Sequence, residues 1–165
     1  MLTRTVATVS EIRRFGATDW HAWFGMFESV AAEGRWIGAE APVDPAWCDS
    51  ARFADRTDAA LFLAFVGDEA VGYIHVEVDG GTAEFGMAIL DGHRGRGIGS
   101  LMMTTAIDWS KAAGARRLHL DVFPDNARAI GLYRKFGFVD TELRERAWPR
   151  RSGECWDLLA MERDV

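Results

Sequence analysis

Between Leu61 and Leu90, one continuous apolar run and two stretches with apolar residues at alternate positions follow one another, with Gly67-Asp68-Glu69 and Asp79-Gly80-Gly81 as the turns between them. These patterns predict strands over Leu61 to Val66, Val71 to Val78 and Thr82 to Leu90. Turns this short join only antiparallel neighbours, because a parallel crossover takes a dozen or more residues. A fold resting on an all-parallel sheet is thereby excluded.

The third strand runs into His93-Arg94-Gly95-Arg96-Gly97-Ile98-Gly99-Ser100 and then into a helix in which Ile98, Leu101, Met102, Thr105, Ala106 and Trp109 keep helical spacing. The glycines thus stand at a helix entrance, where backbone N–H groups lack intrahelical partners and the helix dipole is positive. Glycine lets the backbone approach an anion, so the stretch reads as a cradle for a phosphate or pyrophosphate. A nucleotide-hydrolase loop would need a lysine after the glycines, and none follows. A dinucleotide fingerprint would need glycine where Ser100 stands, and the antiparallel strands upstream exclude that fold in spite of Asp121 about twenty positions on. The helix is predicted to end at Gly114. Leu118 to Val122 then reads as a strand parallel to the one before the loop, since a helical crossover leads to it. The fold class is α/β: a mixed, mostly antiparallel central sheet flanked by helices.

The chain of 165 residues, 48% of them hydrophobic, fits one domain spanning 1–165. Cys48 and Cys155 stand far apart and the four histidines are scattered, so neither a disulfide framework nor a metal site is expected. No stretch reads as a signal peptide or a membrane span, which gives a cytoplasmic expectation without a membrane partner. A net charge of −6 argues against nucleic acid and favours a cationic or amine-bearing partner.

Upstream of the strands, Thr8 to Phe15 reads as a first strand, and Asp19 as the cap of a helix whose Trp20, Trp23, Phe24, Phe27, Val30 and Ala31 face the core and which ends at Gly34. Asp44-Pro45 reads as a second helix start leading through Trp47, Ala51 and Phe53.

Downstream, Asn126 can cap a short helix ending at Gly137. Tyr133, seven residues on, lies on the same face about 10 Å along the axis. The succession of a strand, Arg94-x-x-Gly97-x-Gly99, a helix, a strand, Asn126 and then Leu132-Tyr133-x-x-x-Gly137-Phe138 resembles the GNAT superfamily of acetyl-CoA-dependent N-acetyltransferases. The resemblance implies that the backbone of Arg94, Gly95, Arg96, Gly97, Ile98, Gly99 and Ser100 binds the pyrophosphate of coenzyme A. Main-chain groups near Met87 and Ile89, with Asn126, would bind its pantetheine arm, and Tyr133 would stand beside the sulfur. It also implies acetyl transfer to a primary amine of a small molecule, with a homodimer as a possible assembly. Rival readings are a protein N-terminal or lysine acetyltransferase and a silent acyl-CoA-binding sensor.

Tyr133 beside the sulfur could serve as general acid, and the amine requires a base or water relay because an ammonium cannot attack a thioester. Glu84, in Ala83-Glu84-Phe85, lies where polyamine-type members look similar, just before the part of the strand that is bulged in them. Asp121, five residues before Asn126, lies where protein N-terminal acetyltransferases carry a base. Tyr73, His75 and Glu77 share one strand face and can line the acceptor groove with Glu84. Arg144, Arg146, Arg150 and Arg151 around Trp148-Pro149 are expected in a loop between Phe138 to Glu145 and a last strand, Cys155 to Met161. They read either as a solvated hairpin tip or as a clamp for an acceptor carboxylate, with Trp20, Trp23 or Trp36 as an aromatic wall.

Overall fold

The computed structural model describes residues 9–47, 53 and 56–165. The three predicted stretches form β2 (Ala59–Val66), β3 (Glu69–Asp79) and β4 (Thr82–Ile89), an antiparallel meander in which β2 is apolar and buried on both faces. Ahead of it, β1 (Glu11–Arg14) pairs with β2 and leads to α1 (Trp20–Ala32). After it come α2 (Ile98–Ala112), β5 (Arg117–Val122), α3 (Ala127–Lys135) and the hairpin of β6 (Val139–Pro149) and β7 (Cys155–Asp164). The strands make one seven-stranded sheet in the order β1-β2-β3-β4-β5-β7-β6. As the helical crossover requires, β4 and β5 pair in parallel, and the other neighbours pair antiparallel.

Alternation along the strands divides the core between the two faces. Ala60, Phe62, Ile74, Val76, Phe85, Leu118 and Leu120 meet Met102, Met103 and Ala106 of α2 and Ile130 and Tyr133 of α3 on one face. Leu61, Leu63, Tyr73 and Ala88 meet Trp23, Met26 and Val30 of α1 on the other. In the pairing register, Glu77, Glu84 and His119 are directly adjacent on this second face, and Asp121 and Glu162 continue the polar strip.

Several expectations need correction. Asp19 does not cap α1 with its side chain. It turns back to accept from both terminal nitrogens of Arg13 at 2.6 Å and from Gly16 N at 2.8 Å, because a buried carboxylate is better matched by a guanidinium than by a helix end. The helix expected from Asp44 is a single 3-10 turn, Pro45–Trp47, with Asp44 accepting from Ala46 N at 2.9 Å; Thr8, Cys48 and Ala51 lie outside the described residues. The presumed loop holding Arg144 and Arg146 is strand, since β6 runs to Pro149 with register shifts within 140–142 and 144–148. Finally, β4 carries no bulge against β3, with pairs unbroken from Asp79↔Thr82 to Gly72↔Ile89.

Candidate active site

At the entrance of α2, Gly95 has φ 73° and Gly97, the N-cap, φ 83°, values an L side chain adopts only under strain. A Cβ on either would meet nothing within 4 Å. The first bond of the helix runs from Leu101 N to Gly97 O at 3.2 Å, so the N–H groups of Ile98, Gly99 and Ser100 precede the intrahelical ladder. Open space before unpaired donors at the positive end of a 15-residue helix suits a pyrophosphate. Gly99 serves a different need: a Cβ there would come within 2.8 Å of Leu132 Cδ2, so its lack of a side chain lets α2 close on α3. The Arg94 side chain is turned away from the cradle to other partners. Its guanidinium donates to Glu33 at 2.6 and 2.8 Å and to the carbonyl of Ile89 at 2.8 Å, bracing the loop against the end of α1.

Below the cradle the sheet opens. The pairing of β4 with β5 stops at Phe85↔Leu120, after which Gly86–Ile89 continue along β3 while Asp121 and Val122 continue along β7. Divergence of two strands, not a bulge, therefore creates the slot. Its β4 edge at 86–88 is free of a strand neighbour on that side and suits an extended amide-bearing arm, whereas the Ile89 carbonyl already accepts from Arg94. Tyr133 of α3 is buried against Phe138, ring centroids 6.1 Å apart, and burial pushes its phenol up to about 12. Asn126 spends its amide oxygen on the helix cap, accepting from Ala129 N at 3.2 Å, and the Tyr133 ring packs among the core residues of this face.

The candidate bases lie on the opposite sheet face, one on each side of the slot. Glu84 lines a groove of about 440 Å³ with Arg56, Asp58, Glu77, Thr82 and His119. Asp121 stands one residue beyond the last β4–β5 pair, and its Oδ1 accepts from Arg144 of β6. His119, which carried no signal in the sequence, faces Asp121 Oδ1 with Nε2 at 3.5 Å and Glu162 Oε1 with Nδ1 at 3.2 Å. His75 packs over Gly86, where any Cβ would collide with its ring, and lies 6.2 Å from the Tyr73 ring in a stacked arrangement. Tyr73 itself is core, in edge contact with Trp23 and Phe27.

Of the arginines around the β6–β7 tip, Arg146 and Arg151 are exposed, whereas Arg150 is buried. Arg150, its side chain 2% exposed, stacks 4.0 Å over the Trp156 ring. It donates to the carbonyls of Gly34, Ile37 and Gly38 at 3.2–3.3 Å and pairs with Glu40 at 3.4 Å. Arg151 donates to the carbonyls of Ala41 and Pro42, and Trp148 Nε1 to that of Gly38. The segment 34–42 after α1 is thus strapped to the hairpin tip, and Arg35 adds an ion pair to Asp125 at 3.5 Å, beside the Trp36 ring. Trp20 and Trp23 belong to the packing of α1, Trp20 stacked on Phe24 at 4.8 Å.

Comparison with known proteins agrees with this architecture. The model of the acetyltransferase (GNAT) family matches residues 20–138. The L-amino acid N-acetyltransferase AaaT of Escherichia coli (strain K12) is 30% identical over 131 residues, covering 74% of this chain and 77% of that protein. Among solved structures, the GNAT-family acetyltransferase from Streptococcus pneumoniae superposes with a TM-score of 0.84 at 23% identity, over 94% of this chain and 99% of that one. The yncA structure from Salmonella typhimurium, which contains acetyl-CoA, superposes with a TM-score of 0.78 at 20% identity, over 93% and 92% of the two chains. The chain belongs to the GNAT acetyltransferase family. It is an acetyl-CoA-dependent N-acetyltransferase. Among the described residues no group of three or more His, Cys, Asp or Glu is placed to hold a metal ion, and no helix is long and apolar enough to cross a membrane.

Proposed function

We propose that the enzyme acetylates the primary amine of a small molecule, an amino acid or a similar amine, by direct attack on the thioester. The observation that carries this reading is the strap: Arg150, Arg151 and Trp148 tie segment 34–42 to the hairpin tip, which would wall the acceptor side at that end against a peptide. The action of the relative AaaT on L-amino acids supports the same class. Arg150 and Arg151 are engaged by backbone carbonyls and Arg144 by Asp121, so these three would not hold an acceptor carboxylate.

The backbone of Arg94–Ser100 and the β4 edge near Met87 would hold acetyl-CoA, which supplies the activated acetyl group. Glu84 or Asp121 would take the proton from the ammonium, directly or through water. An α-amino group with a pKa of about 8 is only about one-tenth neutral at pH 7, so this step sets how much nucleophile is present. Tyr133 would donate to the sulfur as the C–S bond breaks. Burial holds the phenol at about 12, above a free thiol near 8.5, so Tyr133 would serve as a hydrogen bond that grows with the charge on sulfur until the sulfur takes a proton from the attacking nitrogen.

Calorimetric titration with acetyl-CoA, followed by thiol release against amino acids, polyamines and peptides, tests the reading. Binding with turnover on an amino acid or small amine is expected. Turnover confined to peptides would replace it with protein acetylation, and binding without any turnover would favour the sensor.

A further inference from the structure

From the surroundings of the slot we infer that His119 is the residue through which the proton of the reaction leaves. The inference rests on the amine-acetylation reading above. That reaction converts an ammonium and a thioester into an amide, a thiol and one free proton. The nitrogen loses two protons, of which one ends on the departing sulfur, and the other must reach solvent from a site covered by substrate.

His119 is placed for that second proton. It is the cross-strand partner of Glu84 in the parallel pair, on the same face, and both line the groove of about 440 Å³. Its Nε2 lies 3.5 Å from Asp121, so whichever of the two carboxylates first receives the proton, the imidazole is its neighbour. Its Nδ1 lies 3.2 Å from Glu162, and Glu162 lines a separate open hollow of about 710 Å³ at the foot of α3 and β6 with Arg117, Lys135 and Arg163. The ring therefore stands between the groove that Glu84 lines and a second hollow that Glu162 lines.

Imidazole can accept a proton on one nitrogen while releasing one from the other. The balance closes. Glu84 or Asp121 is protonated by the ammonium and passes that proton to Nε2. Nδ1 gives one up to Glu162, Glu162 releases it to water, and the ring, left as its other tautomer, resets by exchanging its protons with water through its exposed quarter before the next turnover. Arg144, engaged on Asp121, and Arg117, 4.0 Å from Glu162, flank the chain of groups without interrupting it.

The test uses the full-length enzyme, acetyl-CoA and the amine giving the highest wild-type turnover. His119→Ala is expected to lower kcat about tenfold or more while the Kd for acetyl-CoA stays within about twofold. Added imidazole should restore part of the lost rate in His119→Ala and leave wild type unchanged. Glu162→Gln should lower kcat in the same direction. His119→Ala turning over at the wild-type rate, or losing activity that imidazole does not restore while Glu162→Gln is silent, overturns the relay and leaves the acetylation reading standing. Wild-type enzyme that binds acetyl-CoA and acetylates no amine overturns both.

Discussion

Gly99 and Leu132 meet where α2 lies against α3, so closely that a Cβ on Gly99 would stand 2.8 Å from Leu132 Cδ2. Since Tyr133 follows Leu132, the contact sets how near the phenol comes to the cradle. Gly99→Val should push α3 outward and cost roughly 1–3 kcal/mol, read as a fall in Tm. The double variant Gly99→Val with Leu132→Ala should recover part of the loss. No recovery would mean that the glycine answers to something other than packing.

Gly97 separates cradle from fold. Its φ of 83° makes any L residue strained there by roughly 1–2 kcal/mol, yet nothing lies within 4 Å of a Cβ. Gly97→Val should therefore remain folded with a modestly lower Tm while acetyl-CoA affinity drops more than tenfold by calorimetry. Unchanged affinity would remove the glycine loop from the binding site.

Tyr133→Phe should lower kcat by roughly 10² with little change in acetyl-CoA affinity. The phenol also marks stability in alkali. Its folded pKa, about 12, lies above the ordinary 10.0, so its contribution is whole below pH 10 and is lost as pH rises toward 12. In denaturant titrations across that window, Tyr133→Phe should lose less stability than wild type. Parallel losses would show that the ring does not titrate in place.

Asp19 behaves in the opposite sense. Its hydrogen bonds from Arg13, opposed by burial and assisted by Gly16 N, hold the carboxyl below its ordinary 3.8. Its contribution is present above that value and lost as pH falls through the lowered one. Asp19→Asn should cost about 1.5–3 kcal/mol at pH 7, and the gap from wild type should narrow in acid below about pH 3.8. An undiminished gap there would assign the loss to packing.

Arg150→Met keeps the length of the side chain and removes the bonds to Gly34, Ile37 and Gly38. Loosening the strap should raise KM for a small amine several-fold and allow slow acetylation of short peptides that wild type rejects. The thiol-release assay over both acceptor sets checks this. Identical selectivity would take the strap out of acceptor choice.

Much of this organisation can be read from the sequence because it is local. Short turns dictate the meander, Gly97 and Gly114 mark the ends of α2, and Asn126 and Gly137 bound α3, each through residues within a few positions of the event. What escapes has no local signature. The strap joins Arg150 to backbone carbonyls more than 110 residues away, and a carbonyl acceptor can belong to any side chain. His119 matches no motif, and its role emerges only once β5 sets it between Asp121 and Glu162. The same holds for Arg144, whose partner Asp121 is 23 residues distant. The slot is an absence of pairing beyond Phe85, to which the alternation of apolar residues is blind.

The short parallel joint between β4 and β5 also bears on how the enzyme assembles. Within the sheet, four residue pairs among the described residues, Thr82↔Arg117 to Phe85↔Leu120, join the β2–β3–β4 meander to the β5–β7–β6 half. The meander and the β6–β7 hairpin close through turns of a few residues and can form early, whereas their joint waits for the α2 crossover and is the slower, non-local event. Glu84 comes from one half, and Asp121, His119 and Tyr133 from the other. Refolding should therefore restore sheet spectra first and acetyl transfer last, with activity serving as the clock for the final docking step.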